Sequence, residues 1–325
     1  MSAATYHVPV LLEAVVRLLA EAPAGALVDG TLGGGGHLAA LRDAAPERRL
    51  VGIDKDPEAL AAAALRFEGS NPDPLGSPTL VRGDFRDLAA HIATALGAGV
   101  KVAGILLDLG VSSRQLDAAH RGFALKHPEA ALDMRMGSTG ETAKDLVLRL
   151  EHGALARILR EYGDVPAAGT LATRLIEAAT GGRLETTGDL ARVVDTMRGA
   201  FRALKVQPAT LVAQALRIAV NDELGALEAA LAAAPDVLVP GGRLVVISYH
   251  SLEDRRVKHA FHEGEHGPER PGKLPPPSDW RPTWKVITRH PVTASDAEVA
   301  VNPRARSAKL RAAARAAIGT AGVAA

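Results

Sequence analysis

Four carboxylates carry most of the chemical information in this chain. Asp29, Asp54, Asp84 and Asp108 each follow a short, largely apolar run: Ala26-Leu27-Val28, Arg49-Leu50-Val51-Gly52-Ile53, Pro78-Thr79-Leu80-Val81-Arg82-Gly83 and Val102-Ala103-Gly104-Ile105-Leu106-Leu107. Such runs fit buried parallel strands. In open α/β sheets, ligands bind outside the carboxyl ends of the strands. Asp29 also opens the loop Gly30-Thr31-Leu32-Gly33-Gly34-Gly35-Gly36-His37. Residues without Cβ let backbone approach a ligand and tolerate positive φ. A carboxylate can accept both hydroxyls of a ribose or the N–H groups of an amine. The set describes a nucleoside-cofactor pocket, and the order of its parts points to S-adenosylmethionine.

Each motif has a plainer reading. Five glycines in the seven residues 30–36 exceed what a strand-to-helix turn needs, which favours a ligand without naming it. Gly34, Gly36 and Ala39 also fit a relaxed dinucleotide fingerprint. Asp54 lies about 20 residues past the loop, where an acid meets ribose hydroxyls, and this suits NAD and S-adenosylmethionine equally. Its alternative role, capping the helix at Pro57, is better filled by Asp56. Asp84-Phe85 separates the two cofactors, because in methyltransferases the turn after the third strand holds adenine against an apolar face. Phe85 as ordinary core is the alternative. A second nucleotide site, which NAD would require, has no counterpart in the sequence.

Asp108-Leu109-Gly110-Val111-Ser112-Ser113 follows the fourth strand. An exocyclic amine on a base is a weak nucleophile because its lone pair is delocalised into the ring. An acceptor at its N–H groups localises that pair and attracts the charge of the transition state. Asp108 is the candidate acceptor. Ser112 and His250, the latter in Tyr249-His250-Ser251 after a fifth strand, are the other catalytic candidates. Packing or N-capping for Asp108 and a surface or core place for His250 are the alternatives. The chain has no cysteine, so the covalent adduct used to methylate carbon-5 of a pyrimidine is excluded, as are disulfides and Cys-type zinc sites. Direct displacement onto an amine or hydroxyl remains open and needs no metal.

These groups require a scaffold. Residues 8–22 form an apolar-periodic helix, and 26–112 alternate strand and helix as βαβαβαβ, with helices over 38–44, 57–67 and 88–96. Asn71–Pro78 is a loop. Residues 114–214 show no strand pattern and divide into helices over 142–151, 153–162, 168–179 and 187–203, with another beginning near 208. A long helix over 209–235 leads through Val239-Pro240-Gly241-Gly242 to a fifth strand at 243–248. Residues 264–282, rich in Pro and Gly, form a mobile loop, and 284–288 and 308–314 are edge strands. The fold class is α/β, a methyltransferase-type (Rossmann-like) doubly wound sheet with an inserted all-helical domain. Residues 1–113 and 215–325 form the cofactor-binding catalytic domain, and 114–214 a helical insert for RNA recognition.

Among 325 residues the apolar share is 47% and the formal net charge +1. No run approaches the ~18 apolar residues of a membrane span, and no basic stretch followed by an apolar core marks a secretory signal. A cytoplasmic protein is expected; the sequence does not set its oligomeric state. Arg198, Arg202, Lys205 and Arg217 lie in one acid-free stretch, and Arg304, Arg306, Lys309, Arg311 and Arg315 in another. Both suit phosphate contacts or solvated helix faces. Arg255 lies in a further basic run after the fifth strand.

Taken together, the segments resemble a known family, the bacterial methyltransferases of N4 of a cytosine in 16S ribosomal RNA. The blocks are His7-Val8-Pro9-Val10-Leu11-Leu12, Asp29–His37, Ile105–Ser113, Gln115-Leu116-Asp117, Arg121-Gly122-Phe123, Leu132-Asp133-Met134-Arg135-Met136, Gly241-Gly242-Arg243-Leu244, Ser251-Leu252-Glu253-Asp254-Arg255 and Asn302-Pro303-Arg304-Ala305-Arg306-Ser307. One departure is Ala131, where the family usually has Pro. The resemblance implies S-adenosylmethionine on Gly34, Gly35, Gly36 and His37, with Asp54 at the ribose and Phe85 at the adenine. It implies Asp108 and Gln115 near the methionine end and the reacting centre. It implies 16S rRNA of the small ribosomal subunit as partner, with no membrane. A DNA amino-methyltransferase would carry Pro-Pro-Tyr after the fourth strand, and Leu109-Gly110-Val111 is not that. A non-catalytic assembly factor that keeps the pocket is the alternative from another class.

Overall fold

The computed structural model describes residues 9–68, 77–202, 207–268, 276–277 and 279–317. The chain divides into two compact units, Met1–Gly110 with Gly225–Ala325, and Val111–Leu224. The sequence expectation placed the changes at 113/114 and 214/215. The first unit opens with α1 (Leu12–Ala20), shorter than the helix expected over 8–22. Leu11 stands before it at φ 54, and its N–H donates to Glu298 Oε1 at 2.7 Å. Strand and helix then alternate: β1 (Leu27–Asp29), α2 (Gly36–Ala44), β2 (Leu50–Asp54), α3 (Pro57–Glu68), β3 (Thr79–Arg82), α4 (Leu88–Leu96) and β4 (Val102–Asp108). Asp56 accepts from the Glu58 N–H at 3.0 Å, the capping role expected of it. Residues 71–76 of the expected loop lie outside the described residues.

The second unit contains α5 (Ser113–Asp117), α6 (Ala143–Arg149), α7 (His152–Gly163), α8 (Ala168–Thr180), α9 (Thr187–Asp195) and α10 (Pro208–Asn221). Its described residues contain no ladder, only the isolated bridge Ala131–Thr186. Thr142 and Thr186 start α6 and α9 through capping boxes with Asp145 and Asp189, satisfying N–H groups that the first helical turn leaves open. Leu146, Leu155, Leu159, Leu171, Leu175, Leu190, Val212 and Leu216 form its core. Asn221 ties the block Leu132–Met136 to α10: its side chain accepts from Met136 N at 2.7 Å and donates to Met134 O at 2.8 Å. The helix expected over 187–203 ends at Asp195. A 3-10 turn over Arg198–Phe201 follows, around Gly199.

The helix expected over 209–235 is also two helices. Asp222 sits at φ 46, separating α10 from α11 (Glu223–Val237). The first unit resumes with β5 (Leu238–Ser248), α12 (Ser251–His266), β6 (Trp284–Val286), β7 (Val292–Thr293), α13 (Asp296–Val301) and β8 (Lys309–Arg315). Residues 264–266, expected in a loop, complete α12. Residues 269–275 and 278 of that loop lie outside the described residues.

The sheet order is β3-β2-β1-β4-β5-β8-β6, with β7 also on β8. Strands β1 to β5 pair in parallel, and β8 runs antiparallel between β5 and β6. The segment expected as an edge strand at 308–314 is therefore interior. Against β4, the register slips between Val102 and Gly104, where β5 accommodates Pro240 and Gly241 as a bulge. Successive residues of β4 serve opposite faces: Ala103 and Leu106 join α1 and α2, while Val102, Ile105 and Leu107 join α4 and α11. Helices on both faces explain why these strands read as continuous apolar runs. The order reverses between β1 and β4, so the crevice of the sheet lies at Asp29 and Asp108.

Candidate active site

Asp29, at the end of β1, is buried. Its Oδ1 accepts from Thr31 N at 3.0 Å, and Thr31 Oγ1 lies 3.4 Å from it. The same Thr31 hydroxyl accepts from Asp108 N at 2.6 Å. Thr31 thereby holds the ends of β1 and β4 in a fixed relation. Asp54, at the end of β2, accepts from Gly33 N at 2.7 Å and Asp56 N at 2.8 Å. Gly33 and Gly35 take φ 51 and 72, which L side chains rarely adopt. A Cβ on Gly36 would lie 2.6 Å from Pro9 Cγ, so the bare backbone there permits Pro9 to pack against the loop. Arg66 Nε donates to Gly34 O at 2.8 Å. Residues 7 and 8 of the His7–Leu12 block lie outside the described residues.

His37 is buried in the first turn of α2. Its Nε2 lies 3.0 Å from Val10 O, and a carbonyl can only accept, so Nε2 carries the proton. Burial holds the ring's pKa below its usual value, which leaves Nδ1 as the unprotonated nitrogen. That atom lies 3.7 Å from Asp108 Oδ2. Asp108 itself is 23% exposed at its side chain, and its Oδ1 accepts from the Tyr249 hydroxyl at 2.8 Å. In the sequence only Tyr249's neighbour His250 stands out as a candidate. Burial raises Asp29 to about 6 and Asp108 to about 7. Burial also raises Asp54.

These shifts test whether S-adenosylmethionine fits. Three desolvated carboxylates stand at neighbouring strand ends, and Asp29 is raised further by Asp54 and Asp108. A cationic ligand relieves that cost. The cofactor carries a sulfonium and an ammonium, and its ribose diol offers two donors. The donor set fits the cofactor.

Phe85 is half-buried in a 3-10 turn capped by Asp84 Oδ1, which accepts from Arg86 N at 3.0 Å. A Cβ on Gly30 would come 3.5 Å from Phe85 Cβ, so Phe85 borders the start of the glycine loop. His250 precedes α12. Its Nε2 stands 3.2 Å from Glu253 Oε1, yet both ring nitrogens are buried without a hydrogen bond among the described residues. Glu253 Oε2 instead accepts from Tyr249 N at 2.8 Å.

In the second unit, Ser112 and Gln115 form a capping box at α5, and Gln115 Nε2 donates to Met136 O at 3.2 Å. The Ser112 oxygen and both ends of the Gln115 amide thus have structural partners. Gln115 is buried.

Among the cations, Arg217 lies against Glu223 at 2.8 and 3.0 Å with its side chain 18% exposed. Lys309 and the buried Arg311 both bind Asp254, and Arg315 donates to Leu238 O. The C-terminal basic run is therefore largely built into the sheet. Arg198 pairs with Asp195 at an exposed place. Arg202, Arg255 and Arg306 are exposed, Arg304 is half-buried, and Lys205 lies outside the described residues.

A Rossmann-like sheet, an acidic strand-end crevice and a glycine loop packed against Pro9 define an S-adenosylmethionine-dependent methyltransferase. More particularly, the chain belongs to the MraW methylase family, whose model matches residues 4–316. It is 48% identical over 319 residues to a ribosomal RNA small subunit methyltransferase H of Anaeromyxobacter sp. (strain K), covering 96% of this chain and 98% of that one. The protein of that name from Heliobacterium modesticaldum is also 48% identical, over 315 residues, covering 95% and 98%. A solved rRNA methylase from Streptococcus thermophilus matches with TM-score 0.40 and 10% identity over 97% and 100% of the two chains. No helix among the described residues is long and apolar enough to cross a membrane.

Proposed function

We propose that this enzyme transfers a methyl group to the N4 amine of a cytidine in 16S rRNA of the small ribosomal subunit. The observation that carries the reading is Asp108. It is a carboxylate at the sheet's crevice with one oxygen held by Tyr249 and the other without a hydrogen bond among the described residues. The relatives' names support rRNA of the small subunit as substrate. The absence of cysteine supports an amine over a ring carbon.

When bound here, S-adenosylmethionine would supply an electrophilic methyl group on its sulfonium for transfer to the amine. The chain does the rest. Asp54 binds the ribose diol, Phe85 lies against the adenine, and Gly34, Gly35, Gly36 and His37 line the backbone cradle. Asp108 accepts an N4–H, which localises the nitrogen lone pair, and takes the proton as the amine is alkylated. Alignment of donor and amine supplies much of the rate. Ser112, Gln115 and His250 shape the segments that follow Asp108 and β5. The target base leaves its stack to reach the crevice.

Arg198, Arg202, Arg255, Arg304 and Arg306 contact phosphate, and the helical unit serves RNA recognition. Its place of work is the cytoplasm, where ribosomal RNA is assembled. The test offers labelled cofactor with small subunits, large subunits or duplex DNA as acceptors, the subunits prepared from cells lacking this gene. Label entering small subunits alone is expected. Transfer to DNA, or to large subunits at an equal rate, contradicts the reading.

A further inference from the structure

Tyr249 has no assigned role, yet it makes the only hydrogen bond to the Asp108 carboxylate among the described residues. We infer that Tyr249 is a positioning residue for methyl transfer: its hydroxyl orients the Asp108 carboxylate and leaves Oδ2 to meet the substrate amine. The inference rests on the proposed role of Asp108.

The geometry runs in three steps. The Tyr249 hydroxyl donates to Asp108 Oδ1 at 2.8 Å. Asp108 N is fixed separately by the Thr31 hydroxyl at 2.6 Å, and Leu109 N by Ile247 O at 3.0 Å. The carboxylate is therefore held at its backbone and at one oxygen. Tyr249 is held in turn, because its own N–H donates to the buried Glu253 Oε2 at 2.8 Å. The ring also packs against the core beneath β1 and β5.

The direction of the bond is fixed by chemistry. Burial, then the charge of Asp108, pushes the Tyr249 phenol above its usual range, so it remains a donor at any working pH. A donor to a carboxylate favours the charged form. The titratable groups facing Asp108 are Tyr249, Glu253, Asp29 and, 3.7 Å from Oδ2, His37. Glu253 and Asp29 oppose its ionisation. Tyr249 is the neighbour whose hydrogen bond favours it.

Removing the hydroxyl should consequently do two things. The carboxylate gains rotational freedom, and it binds its proton more tightly. Tyr249→Phe should lower kcat roughly 10-fold, the effect of about one hydrogen bond to a charged group, with KM for subunits and Kd for the cofactor within about two-fold. The acidic limb of the kcat profile should move to higher pH. In an Asp108→Ala background the same change should have little further effect, since residues acting through one another are not additive.

The deciding experiment follows the Asp108 carboxylate itself by carbon NMR in the full-length protein, with Asp108→Asn identifying the signal. A higher midpoint in Tyr249→Phe than in wild type supports the inference. An unchanged midpoint overturns it, even if the enzyme methylates cytidine as proposed. Failure of wild type to methylate cytidine would instead count against the proposed function, and the titration would still report on the pair. Should Tyr249→Phe fold poorly, a fluorinated tyrosine at position 249 keeps the ring and makes the hydroxyl more acidic. The Asp108 midpoint should then fall, and a rise or no change overturns the inference.

Discussion

Gly33 N–H donates to Asp54 Oδ2 at 2.7 Å, so the carboxylate assigned to the ribose also anchors the glycine loop. Asp54 Oδ1 accepts from Asp56 N at 2.8 Å, aligning the start of α3. One side chain couples the glycine loop to the start of α3.

Asp54→Ala should weaken S-adenosylmethionine binding by more than a lost ribose contact. Hydrogen bonds to a charged group contribute about 1.5–3 kcal/mol, so Kd should rise at least about 10-fold and up to roughly 100-fold. Asp54→Asn keeps an acceptor for Gly33 and should fall between. Calorimetric titration measures both. Wild-type affinity in Asp54→Ala would place the ribose elsewhere.

Asp108→Ala should leave cofactor and subunit binding near wild type while lowering kcat about 100- to 1,000-fold, the usual cost of one well-placed electrostatic group. Asp108→Asn retains an acceptor oxygen and should lose less. Single-turnover transfer rates are the readout. A rate within a few-fold of wild type in Asp108→Ala would remove Asp108 from the chemistry.

Asp29 and Asp108 should make stability fall as pH rises from about 4 to 7, opposed in part by His37, which burial keeps neutral in the fold and which the unfolded chain protonates in the same window. Asp29 and Asp108 have folded pKa values of about 6 and about 7 against an unfolded value of 3.8. The native state therefore holds protons that the unfolded state has released across that window, and it loses stability as they leave. A cationic ligand favours both carboxylates ionised. The rise in Tm produced by saturating S-adenosylmethionine should accordingly be larger at pH 7.5 than at pH 5. Equal increments at both values would show that these carboxylates do not face the ligand's charge.

The basic residues should separate into two classes. Arg311→Ala removes a buried partner of Asp254 and should destabilise the fold by about 3 kcal/mol, the lower end for breaking a buried pair, because Lys309 remains beside Asp254. Arg255→Ala and Arg306→Ala should leave Tm nearly unchanged, raise KM for subunits and flatten its dependence on salt. Thermal melts and a salt series check both. An RNA effect for Arg311→Ala at unchanged Tm would reverse the division.

The strands were legible because burial on both faces forces continuous apolar runs, and a carboxylate at the end of such a run stands out. Alternation stops after Ser113 in the sequence, while the first compact unit ends at Gly110. The break at Asp222 was hidden, since apolar periodicity continues across it and only a left-handed backbone at that residue separates α10 from α11. β8 looked like an edge because it carries three cations. Asp254, 57 residues away in sequence, neutralises the buried Arg311 and lets the strand lie inside the sheet. Tyr249 was visible in its motif, but its partner Asp108 lies 141 residues earlier, and no local pattern reports such a pairing.

The most direct test of the central claim is the identity of the methylated nucleoside. 16S rRNA from cells lacking the gene is incubated, within small subunits, with labelled S-adenosylmethionine and this enzyme, then digested to nucleosides and resolved by mass spectrometry. The label should appear as N4-methylcytidine with wild type and be strongly reduced with Asp108→Ala. Label in 5-methylcytidine, in a ribose-methylated nucleoside or in a purine would contradict the account.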